Sequence, residues 1–131
     1  MSDTSPRAKW TLTVRSTFSA AHALRHYQGK CERLHGHNYG LAIELEGEKL
    51  TPDTEILMDF ADIKKLIKEV LAPYDHTDLN EVPPFDTINP SSENLARHIW
   101  KLLAPRLPEG IRLTGVTVSE KPEQSATYRE F

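Results

Sequence analysis

Between Trp10 and Gly47 two runs of the chain place apolar residues at every second position, and that period constrains everything that follows. Trp10, Leu12, Val14, Phe18 and Ala20 alternate with Thr11, Thr13, Arg15, Thr17 and Ser19, the pattern of a strand with one buried face. Tyr39, Leu41, Ile43 and Leu45 alternate in the same way with Asn38, Gly40, Glu44 and Glu46. After Asp59 the period changes. Phe60, Ile63, Leu66, Ile67, Val70 and Leu71 recur at helical spacing and form one apolar stripe. Asp59 suits the N-cap and Pro73 the stop. A second helix is predicted over about 92–107, with Leu95, Ile99, Leu102 and Leu103 inward and either Ser91 or Ser92 as its cap. Strands return at Arg112–Glu120 and near Ser125–Arg129. This order predicts an α+β domain, a four-stranded antiparallel sheet with two helices on one face. Four strands and two helices make a thin core with open sheet edges, so other copies of the chain are expected to cover them.

Residues 1–8 are polar and read as a flexible tail, leaving 9–131 as a single domain. The net charge of −3 lacks the basic footprint of a nucleic-acid binder. No apolar run approaches a membrane span and the first residues lack a signal peptide's apolar stretch, so a cytoplasmic protein is expected. The one cysteine, Cys31, excludes an intramolecular disulfide framework.

The chemistry-bearing residues cluster at strand ends. His35 and His37 open the second strand at i and i+2, so both imidazoles share a face. On the first strand His22 has the parity of Trp10, Leu12, Val14 and Phe18. Three neutral imidazoles with no evident fourth protein ligand match a catalytic zinc site with an open position. The alternative is three unrelated core or surface histidines. Cys31, among Lys30, Glu32 and Arg33, is either a small buried residue or a thiolate favoured by nearby cations. Asp75-His76 reads as a proton-transfer pair, or as a turn aspartate beside an exposed histidine. Glu120 shares parity with Val116 and Val118, and either a cation or a donor-rich ligand meets a carboxylate that is costly on that face, or the residue is a frayed strand end in water. His26 and His98 show no partner at useful spacing.

FSAAH (Phe18–His22), CERLHGHNY (Cys31–Tyr39), YDHTDLN (Tyr74–Asn80), NPSSENLARHIW (Asn89–Trp100) and VSE (Val118–Glu120) occur in the order seen in one family. From about Phe18 to the C-terminus the chain resembles the 6-pyruvoyltetrahydropterin and 6-carboxytetrahydropterin synthases. The resemblance implies the tunnelling fold, in which subunits join their sheets into a barrel as trimers that commonly stack into hexamers. It implies zinc on His22, His35 and His37, proton transfer by Cys31, Asp75 and His76, and pterin binding by Glu120 and, from a neighbouring subunit, by Ser91, Ser92 and Glu93.

Three residues separate Cys31 from His35. That spacing resembles the bacterial branch which converts 7,8-dihydroneopterin triphosphate to 6-carboxy-5,6,7,8-tetrahydropterin, acetaldehyde and triphosphate, a lyase-type step in queuosine biosynthesis. Lys30 and Arg33, or else basic residues of a neighbouring subunit, are candidates to hold the triphosphate. Glu32 adds the pattern E-x-x-H-G-H, which resembles a folate-pathway branch cleaving the same substrate to 6-hydroxymethyl-7,8-dihydropterin, so Glu32 is a possible second base. Against both enzymes stands a non-catalytic pterin-binding module. Tyr74, where leucine often precedes Asp-His, and Ser91, where threonine is usual, depart from the family pattern.

Overall fold

The computed structural model describes residues 4–27 and 33–131. The two alternating runs become β1 (Trp10–His22) and β2 (His35–Gly47), antiparallel and paired one to one from Trp10↔Gly47 through His22↔His35. That register sends Val14, Phe18, Ala20 and His22 to the same buried face as Tyr39, Leu41, Ile43 and Leu45. Thr13, Arg15 and Thr17 point the other way and are exposed. Trp10 has inward parity yet is 47% exposed. Its cross-strand neighbour is Gly47, which has no side chain to lay over the indole.

Asp59 caps α1 (Phe60–Leu71), its carboxylate accepting from the Ala61 N–H at 2.9 Å. The helix buries Ile63, Ile67, Val70 and Leu71, while Phe60, expected on the stripe, is 51% exposed in the first turn. Ser91 rather than Ser92 caps α2 (Ser92–Leu103), with the Ser91 hydroxyl accepting from the Asn94 N–H at 3.1 Å. This helix stops before the expected Leu107 and tightens into a 3₁₀ turn at Ala104–Arg106. Pro105 lacks the N–H that another α-helical bond would need.

β4 (Arg112–Lys121) pairs antiparallel with β2, and β5 (Gln124–Tyr128) with β4. These are the four antiparallel strands expected. A fifth, β3 (Thr77–Asp78), runs parallel to Ala20–Ala21 of β1, so the sheet is mixed, with order β3-β1-β2-β4-β5. Two residues carry no hydrophobic period; β3 is held instead by long-range bonds. The His76 N–H donates to the Ser19 carbonyl, and the Asp75 carboxylate accepts from the Ser19 N–H at 2.9 Å.

Both helices pack on the sheet's apolar face. Tyr39, Ile43, Leu45, Val116 and Val118 are fully sealed there, each large aliphatic side chain contributing about 1.5–3 kcal/mol. Among the described residues, His22 is the only buried polar or charged one. No helix among the described residues is long and apolar enough to cross a membrane.

Candidate active site

The β1–β2 register does more than bury a core. His22 ends β1 directly opposite His35, and His37 lies two residues on along the same face. The ring centroids are 4.7 Å apart for His22–His35, 5.1 Å for His22–His37 and 4.5 Å for His35–His37. One ring nitrogen from each lies within 4.8 Å of the others.

Second partners fix where the protons sit. The His22 Nδ1 is 2.9 Å from the carbonyl oxygen of Pro90, which can only accept, so Nδ1 carries the proton and Nε2 a lone pair. The Tyr39 hydroxyl lies 2.7 Å from the same Nδ1. His35 Nδ1 likewise donates to the Arg33 carbonyl at 2.6 Å. The Nε2 atoms of His22 and His37 are buried and have no hydrogen-bond partner.

A second proton on His22 or His37 is disfavoured. Burial pushes both His22 and His37 below the ordinary imidazole range, against the raising effects of the Glu120 charge and, for His22, of the Pro90 bond. Glu120 Oε1 stands 3.5 Å from His22 Nε2 and Oε2 stands 3.9 Å from His37 Nε2. The lone pair of His22 Nε2 faces a carboxylate and lies near the unpartnered His37 Nε2, an arrangement that a cation joining them would stabilise. The donor set therefore fits a divalent ion such as zinc, with outer hydrogen bonds orienting each ligand.

The Asp75-His76 pair is a separate construction. Asp75 Oδ1 lies 3.1 Å from His76 Nδ1 while also holding the Ser19 N–H. His76 adopts a left-handed backbone (φ 60°), and its side chain is 79% exposed. It lines an open depression on the sheet with Ser19, Gly36, His37 and Asn38. Of the histidine cluster, His37 lines that depression with it, and the exposed His76 imidazole is accessible to another molecule.

Ser91 is taken up in capping α2; Ser92 and Glu93 stand in the first turn, Glu93 exposed. Their segment reaches the histidines through Pro90. Cys31, Glu32 and Lys30 lie outside the described residues, and Arg33 is exposed. A depression of about 1180 Å³ around Lys9, Glu46, Lys49 and Asp59 includes none of these candidates.

Four residues escaped the sequence reading. Tyr39 and Pro90 orient His22. Asn80 grips the Ala23 backbone with both ends of its amide, at 2.7 and 2.9 Å, and Asn89 grips Arg25 at 2.9 Å twice. Each amide mimics a strand partner just after β1 ends. All four stand in the segments that carried the family resemblance, and Tyr39 also shares parity with His35 and His37, but none was given a role in the site. His98, for which the spacing offered no partner, is half-buried with its Nε2 2.8 Å from the Tyr74 hydroxyl.

Residues 11–130 match the family model for 6-pyruvoyl tetrahydropterin synthase. A protein of Archaeoglobus fulgidus, provisionally assigned as a 6-carboxy-5,6,7,8-tetrahydropterin synthase, is 34% identical over 88% of this chain and 92% of its own length. The human 6-pyruvoyl tetrahydrobiopterin synthase is 34% identical over 94% of this chain and 93% of its own. A dihydroneopterin monophosphate aldolase of Pyrococcus furiosus is 32% identical over 88% of this chain and 93% of its own. Among solved structures, the Caenorhabditis elegans 6-pyruvoyl tetrahydropterin synthase superposes with a TM-score of 0.81 at 31% identity, covering 95% of this chain and 97% of that one. The chain belongs to the 6-pyruvoyl tetrahydropterin synthase family.

Proposed function

We propose that this protein is a zinc-dependent 6-carboxy-5,6,7,8-tetrahydropterin synthase. It would convert 7,8-dihydroneopterin triphosphate and water to 6-carboxytetrahydropterin, acetaldehyde and triphosphate, supplying queuosine biosynthesis in the cytoplasm. The observation that carries the metal-dependent reading is the pair of buried, unpartnered Nε2 atoms of His22 and His37, with the His22 proton pinned on the opposite ring nitrogen. The choice among pterin products rests on the Cys31–His35 spacing and on the Archaeoglobus relative.

His22, His35 and His37 would hold the ion, which when bound makes protons next to a coordinated side-chain hydroxyl more acidic. The chain's own groups then move those protons. Cys31 as thiolate takes one, and His76, held by Asp75, handles those on the other side. Glu120 accepts from the ring N–H and amino group, a paired contact that sets the ring's orientation. Ser91, Ser92 and Glu93 contribute to the ring pocket of a neighbouring copy, and Lys30 and Arg33 meet the triphosphate. The exposure of His76 and the open edges at β3 and β5 support assembly with further copies, a trimer or a pair of stacked trimers.

A second reading has its own support. The Pyrococcus relative is an aldolase on a dihydroneopterin phosphate, and Glu32 beside Cys31 provides a second base. On that reading the chain also releases 6-hydroxymethyl-7,8-dihydropterin. Incubation of zinc-loaded protein with 7,8-dihydroneopterin triphosphate, with products identified by mass spectrometry, separates the two. A 6-carboxytetrahydropterin product lost in Cys31→Ala and kept in Glu32→Ala establishes the first. A hydroxymethyl product that depends on Glu32 establishes the second, and no turnover with tight pterin binding leaves a binding module.

A further inference from the structure

We propose that Glu120 is a fourth and exchangeable ligand of the ion held by His22, His35 and His37, withdrawn when the pterin ring binds. The inference deepens the functional reading above and rests on it for the identity of the ring.

The geometry comes from the end of β4. Its ladder with β2 ends at Gly40↔Ser119, so Glu120 stands just beyond it, level with Tyr39 and on the face of Val116 and Val118. The side chain is mostly enclosed, with 15% exposure. Its two oxygens address two different imidazoles, at 3.5 Å from His22 Nε2 and 3.9 Å from His37 Nε2. Both separations are too long for a hydrogen bond, which needs about 2.7–3.2 Å. They are close to the spacing of neighbouring ligand atoms in a tetrahedral site, about 3.3–3.5 Å for bonds of about 2.0–2.1 Å. The Pro90 carbonyl keeps the His22 proton on Nδ1, so the carboxylate faces a lone pair and not a donor. A shared cation turns that repulsion into attraction.

The same two oxygens are the ones a pterin ring's N–H and amino group would claim. The N–H and amino group lie on the edge of the ring away from its side chain, so a carboxylate that holds them stands about a ring's width from an ion that holds the side chain. Ring binding therefore draws the carboxylate off the ion and opens a coordination position for the substrate side chain. In the resting protein that position is occupied, so the ion is not left open to other oxygen ligands. The coordination of the ion thus responds to the ring before any side-chain chemistry begins.

Cobalt(II) replaces zinc as a visible probe, since its absorption reports coordination number and ligand type. Two quantities are measured in the full-length protein: cobalt affinity by titration, and the visible bands with and without pterin, the ring lacking a side chain. Glu120→Gln is expected to weaken cobalt binding about 10-fold or more and to change the bands. Saturating pterin, with binding followed by its fluorescence, is expected to move the wild-type bands toward those of Glu120→Gln. Equal affinity and equal bands in the two proteins would overturn the proposal while leaving the three-histidine site intact. Wild-type protein that takes up no cobalt would overturn the site and the proposal together. If Glu120→Gln does not fold, the wild-type pterin titration decides alone, and bands unmoved by bound pterin refute the exchange.

Discussion

Asn80→Asp changes one atom's chemistry and nearly nothing of shape, so its consequence can be worked out from the structure. In the wild type Asn80 Oδ1 accepts from the Ala23 N–H at 2.7 Å and Nδ2 donates to the Ala23 carbonyl at 2.9 Å. The aspartate keeps the first bond and turns the second into carboxylate oxygen against carbonyl oxygen. Losing a hydrogen bond costs about 1 kcal/mol, and leaving a half-buried carbonyl facing an acceptor about 1–2 kcal/mol more. The expected loss at pH 7 is about 2–3 kcal/mol, or roughly 10 °C in Tm for a chain of this size.

The pH dependence has a definite sign. Facing a carbonyl, the new carboxyl group has its folded pKa raised above the unfolded value near 3.9. Its protonated form donates in place of the amide. The deficit relative to wild type is therefore small below the unfolded pKa and complete once pH exceeds the folded one. Urea unfolding of both proteins at matched concentration from pH 4 to 8 reads this difference directly. A variant as stable as wild type at pH 7, or a deficit that grows on acidification, would refute the claim that this amide closes the chain behind His22.

Other expectations follow from the same distances. Asp75→Asn retains an acceptor for the Ser19 N–H but loses the charge beside His76; Tm should hold within a few degrees while kcat falls about 10²–10⁴-fold, and an unchanged kcat would remove the pair from the mechanism. Burial, with Lys101 adding to it, holds His98 below the ordinary imidazole value, so its contribution to stability is full above about pH 6.5 and is lost as pH falls below that. Tyr74→Phe removes the partner of His98 Nε2 and should cost about 1–3 kcal/mol at pH 7.5, read by urea unfolding; a variant as stable as wild type would mean that this pair adds nothing to the fold. Stripping metal with a chelator should lower stability by about 2.7 kcal/mol if free ion stood at 100 times Kd, seen by calorimetry and absent in His35→Ala; an unshifted wild type would count against the histidine site.

Local pattern made much of this protein legible. Alternation from Trp10 to His22 and from His35 to Leu45 is a property of neighbours two apart, and it placed three imidazoles on one face without knowledge of the partner strand. Asp59 as a cap and the apolar spacing of α1 are equally local, because a helix is written within a few residues of itself. The parity of Glu120 with Val118 flagged a carboxylate that needed a cation or a ligand. Misplaced features share a different cause. Phe60 and Trp10 have the right period but stand at element ends, where cover depends on what lies opposite, and β3 is too short to have a period at all.

What the sequence determined, then, was the set of faces: which side chains each strand and helix presents, and so which histidines point inward. Tertiary structure alone decided what those faces meet. The β1–β2 register sets His22 across from His35, and a slip of one residue would turn His35 and His37 away. Pro90, 68 residues from His22, settles which nitrogen carries the proton. Asn80 and Asn89 clamp backbone 57 and 64 residues away, and Ser91 rather than Ser92 is chosen as the cap by the path of the loop before it. Such contacts join positions with no periodic relation, so no pattern along the chain encodes them; they exist only once the core has brought the segments together.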